Sequence, residues 1–131
     1  MSYYFTTKLS VPFDEAVAKV IEAFKAEGFG VLTDINVKET MEKKLGVTFR
    51  NYRILGMCNP PFAHKALMTE DKIGLLLPCN VIVQDHGQGD VEVSAIDPYA
   101  SMAAVQNKAL GEVASEVRER LKHCIEGLGK S

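Results

Sequence analysis

Residues 74–84, reading GLLLPCNVIVQ, are almost continuously apolar. The run is far too short to span a bilayer. Its composition suits a strand covered on both faces or held at a tight interface, and Pro78, which has no N–H to give a ladder, predicts a bulge or an edge position there. The cluster Gly87-Gln88-Gly89-Asp90 reads as a tight turn, and beyond it Val91, Val93 and Ala95 alternate with polar residues up to Ile96. A strand, a glycine turn and an alternating strand make an antiparallel hairpin. Such a hairpin needs a second layer over its apolar face, and the rest of the chain must supply it.

The remaining patterns provide strands and helices in alternation. Residues 3–11 are rich in Tyr, Thr and Val and stop at Pro12, as a first strand would. Val17, Val20, Ile21 and Phe24 recur at helical spacing behind Asp14 and Glu15, and Gly28 offers the stop. Residues 31–36 read as a short strand, followed by a short helix through Val37, Met41 and Leu45 that ends at Gly46. Residues 52–57 read as a third strand, after which Asn59-Pro60-Pro61 opens a helix to about Met68. Following Asp97-Pro98, the spacing predicts one long helix over 101–126, with Ala109, Val113, Val117, Leu121 and Leu128 near one stripe and Cys124 at its end. No repeat, low-complexity tract or linker interrupts this order, so residues 1–131 are expected to form a single domain. The architecture predicted is α+β in two layers: a largely antiparallel sheet with helices packed on one face, and a long C-terminal helix.

Bulk properties exclude several functions. With 15 basic and 17 acidic residues the formal net charge is -2, which gives no positive field to gather nucleic acid or an anionic membrane. Neither partner is expected. The N-terminus lacks the apolar core of a secretion signal, and the three cysteines, Cys58, Cys79 and Cys124, form an odd set without CxxC spacing. A cytoplasmic protein with reduced thiols is expected. Gly28-Phe29-Gly30 follows a helix and lacks a third glycine, and no GxxxxGK[ST], GxSxG or HExxH occurs.

The segments Tyr52-Arg53-Ile54-Leu55-Gly56-Met57-Cys58-Asn59-Pro60 and Leu76-Leu77-Pro78-Cys79-Asn80-Val81, followed by Asp97-Pro98 after the last strand, resemble in kind and order the domain-of-unknown-function family 302. With the leading strand and the helix before Gly28, the resemblance covers almost the whole chain. It implies an α+β fold, usually a homodimer, found in bacteria and archaea, and no agreed activity, cofactor or catalytic set. Many members look to have glycine at the position of Cys58 and a residue other than cysteine at that of Cys79. The paired cysteines would then mark a subgroup.

Cys58-Asn59-Pro60 and Pro78-Cys79-Asn80 carry the most chemistry. If Asn59 caps the following helix, the Cys58 thiol lies beside free backbone N–H groups and the positive end of a dipole, which stabilise a thiolate. His64, on the first or second turn, is a candidate base, and Cys79 a resolving thiol for reversible disulfide or persulfide chemistry. The plainer reading makes each cysteine a small apolar core residue, Asn59 and Asn80 turn or cap residues, His64 a solvent-facing side chain and Asp97 a helix-entry residue. A zinc site from Cys58, His64, Cys79 and His86 lacks the closely spaced ligand pairs of structural zinc, so no metal or cofactor is expected.

Three function classes follow. The favoured one is a dimeric module that binds a small molecule in an apolar pocket with a few polar groups, Tyr52, Asn59, Asn80 and Asp97. The second is a thiol-based redox or sulfur-carrier protein using Cys58, Cys79 and His64. The third is a structural or interaction dimer in which the apolar strand and the last helix form the interface.

Overall fold

The computed structural model describes residues 2–129. The strands are β1 (Tyr4–Leu9), β2 (Gly30–Asn36), β3 (Tyr52–Cys58), β4 (Cys79–Asp85) and β5 (Val91–Ile96). The helices are α1 (Phe13–Ala26), α2 (Val37–Leu45), α3 (Pro60–Thr69), α4 (Pro98–Ser101) and α5 (Lys108–Gly129), with a 3-10 turn at Ile73–Leu76. The strands form one sheet in the order β1-β5-β4-β3-β2, and every neighbouring pair is antiparallel.

The hairpin forms as its sequence predicts: Asp85 pairs with Val91, and Gly87 and Gly89 between them take positive φ, which glycine adopts without strain. One face of the sheet, built from Leu9, Leu55, Met57, Val81, Val83, Val93 and Ala95, is buried beneath Val17, Val20 and Phe24 of α1 and Val117, Leu121 and Ile125 of α5. The fold is the α+β, two-layer arrangement that the patterning implies. Cys124 sits in this core, as its place at the end of the helix stripe suggests.

Three details differ from the sequence reading. The apolar run does not enter the sheet at residue 74: residues 73–76 coil into the 3-10 turn, and β4 begins only after Pro78. Pro78 is therefore neither on an edge nor in a bulge, since β4 is the central strand and the missing N–H falls outside the ladder. The bulge lies instead in β2, where the register shifts between Val31 and Thr33 and Leu32 is left without an opposite residue. The long final helix is also divided. Asp97 accepts the Tyr99 N–H at 3.0 Å to cap the short α4, and Asn107 accepts the Leu110 N–H at 3.2 Å to start α5. Two separate side-chain caps thus break the run that periodicity alone joins together.

Gly56 shows how closely the strand ends are packed. A Cβ added there would overlap Thr33 Oγ1 and stand 2.5 Å from Cγ of Pro78, so a glycine is what lets β2, β3 and the Pro78 ring meet. Gly56→Ala is expected to cost about 1–3 kcal/mol, the usual penalty of overpacking. A denaturant midpoint equal to that of the parent protein would show that Thr33 and Pro78 move aside freely.

Candidate functional site

A cavity of about 350 Å³ opens where the C-terminal end of β3 meets the N-terminal end of β4. Its sheet-side wall is Met57, Cys58 and Cys79; α3 contributes Phe62, Ala63, Ala66 and Leu67; α5 contributes Val113, Ala114 and Val117; and Met102 closes the end near Pro98. The size falls within the range of small-molecule sites, and the lining has their apolar character.

The space has a local cause in the sequence. Chain leaving β3 enters α3 at once, because Pro60 and Pro61 occupy the first helical turn, where their missing N–H groups cost nothing. Helix α3 then runs back against α5, and Phe62 lies under the Arg120 guanidinium at 5.1 Å. The facing positions on α3 and α5 are the alanines Ala63, Ala66 and Ala114, too small to fill the gap. The cavity therefore sits between the main core and a smaller cluster made of Ala66, Ile73, Met102, Leu110 and Ala114. At its mouth, the β2 bulge presents Leu32, which lines the cavity yet is 68% exposed.

Asn59 is the only polar side chain in the lining. It is just 8% exposed, and among the described residues its carboxamide makes no hydrogen bond. The expected cap is absent: Asn59 stands at the N-terminus of α3, but its side chain does not reach the helix N–H groups. The amide is packed instead against Gly28, where an added Cβ would come within 2.9 Å of Nδ2. No fully buried side-chain polar atom among the described residues lacks a partner, so this amide keeps its accessible surface while facing an apolar lining.

Both candidate cysteines are among the lining residues. Met57 and Cys79 are register partners across β3 and β4, and Cys58 follows Met57 directly. All three cysteines are free. Burial pushes the Cys58 thiol above its ordinary value. Burial, and then the neighbouring Cys58, push Cys79 up to about 11. Without the Asn59 cap, and with desolvation dominating, these surroundings favour neutral thiols in place of the stabilised thiolate that the sequence suggested.

The other sequence candidates lie elsewhere. His64 is exposed on α3 and outside the cavity lining, and it does not meet the two thiols there. His86 faces Glu92 at 3.8 Å, and no three His, Cys, Asp or Glu residues among those described gather as metal ligands. Tyr52 and Asn80 line a depression on the opposite, uncovered face of the sheet, beside Gln84, which accepts from Arg50 at 2.9 Å and 3.0 Å. Asp97 is buried, and besides capping α4 it accepts from Arg118 Nε at 3.0 Å. It thereby ties α4 to α5 behind the cavity. Of the four polar residues grouped as ligand contacts, only Asn59 reaches this cavity.

The residues that sequence reading missed are Met57, Met102, Phe62 and the small alanines. A pair of alanines three apart on α3, at positions 63 and 66, was the available signal: it marks a helix face able to approach a neighbour without filling the space between them.

None of the described helices is long and apolar enough to cross a membrane. No curated protein matches the chain. The crystal structure of an uncharacterized conserved protein, DUF302 from Bacillus stearothermophilus, superposes with a TM-score of 0.88 at 29% identity, over 96% of this chain and 98% of that one. The family model described as "Domain of unknown function DUF302" matches residues 5–128, and the chain belongs to that family.

Proposed function

We propose that this protein is a cytoplasmic, homodimeric binding module, each protomer of which takes up a small, largely apolar molecule carrying one hydrogen-bonding group. The observation that carries this reading is the Asn59 carboxamide, 8% exposed and without a side-chain hydrogen bond, on the wall of an apolar cavity of about 350 Å³. The amide keeps accessible surface, so it is free to bond a ligand's polar group in exchange for water, a net gain of about 0.5–1.5 kcal/mol. The apolar walls supply affinity and the amide supplies orientation.

The test is a fluorescence titration with 1-N-phenylnaphthylamine, a neutral apolar probe whose single N–H suits the Asn59 carbonyl. Saturable binding at one probe per chain is expected. Asn59→Ala should weaken it about 5- to 10-fold, as the loss of roughly one hydrogen bond implies. Absence of saturation, or equal affinity in the variant with its circular dichroism unchanged, would remove the reading.

A thiol enzyme or carrier is the second reading. It is favoured by the two cysteines lining one cavity, and disfavoured by the burial that pushes both thiols above their ordinary value.

A further inference from the structure

Building on the binding-module reading, we infer that the cavity admits only uncharged ligands: alcohols, carbonyl compounds or amides, with carboxylates, phosphates and ammonium ions refused. No Asp, Glu, Lys, Arg or His stands among the residues that line it, and Asn59 supplies the one amide. An ion brought against such a wall leaves its hydration and meets no counter-charge. A hydroxyl or carbonyl gives up far less on leaving water, and a carboxamide, which both donates and accepts, takes the place of the water it loses.

The charged groups of the surrounding elements are engaged away from this space. On α3, His64 and Lys65 are exposed and outside the lining. On α5, Arg118 donates to Asp97 and to Glu119, both at 3.0 Å, and Arg120 lies over the Phe62 ring at 5.1 Å; neither arginine lines the cavity. Arg53 of β3 is paired with Asp34. Burial pushes Cys58 and Cys79 upward, away from the thiolate.

Helix starts, the other common source of anion binding, are closed as well. Pro60 and Pro61 hold the first positions of α3 and have no N–H, so two of the donors that would hold an anion at a helix start are missing. At α4, the Asp97 carboxylate already accepts the Tyr99 N–H at 3.0 Å. The cavity thus has apolar contact to offer and one neutral hydrogen-bonding group, with no feature that stabilises a charge of either sign.

Three ligands of one shape test this: naphthylmethanol, naphthoate and naphthylmethylammonium. Each is titrated into full-length protein holding 1-N-phenylnaphthylamine, and displacement of the probe is read by fluorescence. At about pH 7, naphthylmethanol should displace the probe, and both ions should need on the order of a hundredfold higher concentration. Lowering the pH toward about 4, where a carboxyl group takes up its proton, should narrow the gap between naphthoate and naphthylmethanol. Leu67→Arg puts a permanent cation on the wall, at a side chain 45% exposed, and should improve naphthoate relative to naphthylmethanol about tenfold. Displacement by either ion within about tenfold of the alcohol, or a naphthoate gap unmoved by pH or by Leu67→Arg, would overturn the inference. A probe that never saturates removes the binding-module reading itself. Saturable probe binding with equal displacement by alcohol and ions leaves that reading standing and removes the charge selection alone.

Discussion

At pH 7, Cys79 should be alkylated by iodoacetamide about a hundred times more slowly than an exposed cysteine. The attacking species is the thiolate. Burial first, and the neighbouring Cys58 second, raise this thiol from 9.0 to about 11, so about a hundredfold less of it is ionised at neutral pH. Cys58 is less buried and should react ahead of Cys79, while Cys124, pushed up to about 12, should react last. The same shift has a consequence for stability. The folded thiol ionises at a higher pH than the unfolded one, so burying its neutral form stabilises the fold fully below about pH 9. That contribution is lost as pH rises toward 11. The denaturant midpoint should fall across this window, and Cys79→Ala should flatten the fall. Site-resolved mass spectrometry of the alkylated protein over pH 6–11 gives the rates, those limits being roughly the span needed to bracket an ordinary thiol pKa of about 8.5. If Cys79 reacts at pH 7 as fast as free cysteine, its thiolate is stabilised after all, and a thiol enzyme becomes the better reading.

How far the sequence reveals the fold depends on the range of the interactions involved. The hairpin was legible because Gly87 and Gly89 and the alternation from Val91 to Ile96 are local signals. Helix α2 was legible for the same reason: Asn36 accepts the Glu39 N–H at its start, and Gly46 takes the left-handed conformation at its end. The break between α4 and α5 was missed because periodicity continues through it, while Asn107 stops it with one hydrogen bond to Leu110 and another to the Thr69 carbonyl on the α3 side. Only the folded chain brings Thr69 there.

The site divides along the same line. Cys58, Asn59 and Cys79 stand out in the sequence because they lie at strand ends beside prolines, which is a local fact. Tyr52 and Asn80 lie near them in sequence, but the pleat sends both to the other face: Asn80 neighbours Cys79, and alternation along β4 separates them. His64 follows the same logic on a helix, its turn pointing away from the wall that Ala63 and Ala66 form. Met102 was invisible, since nothing in its own segment ties it to β3. Adjacency in sequence thus points to where the cavity opens but does not tell which neighbouring residues line it.

Filling the cavity tests whether a ligand occupies it. Ala114 is 3% exposed, lies on α5 opposite α3, and belongs both to the cavity wall and to the small cluster with Ile73 and Met102. In a close-packed interior, Ala114→Leu would force neighbours aside and cost about 1–3 kcal/mol. Where unfilled apolar volume faces the methyl group, the same three carbons gain contacts and leave water, and stabilisation of about 0.5–2 kcal/mol is expected. The added side chain also takes up volume the ligand needs, so affinity for 1-N-phenylnaphthylamine should drop tenfold or more, about 1.4 kcal/mol. Ala66→Leu enters from the facing wall and should act in the same two ways. A rise in the denaturant midpoint together with loss of the probe is a combination that general damage to the fold cannot produce, because damage lowers both. A lowered midpoint with probe binding intact would place the probe elsewhere and leave the alanines as ordinary close-packing residues between α3 and α5.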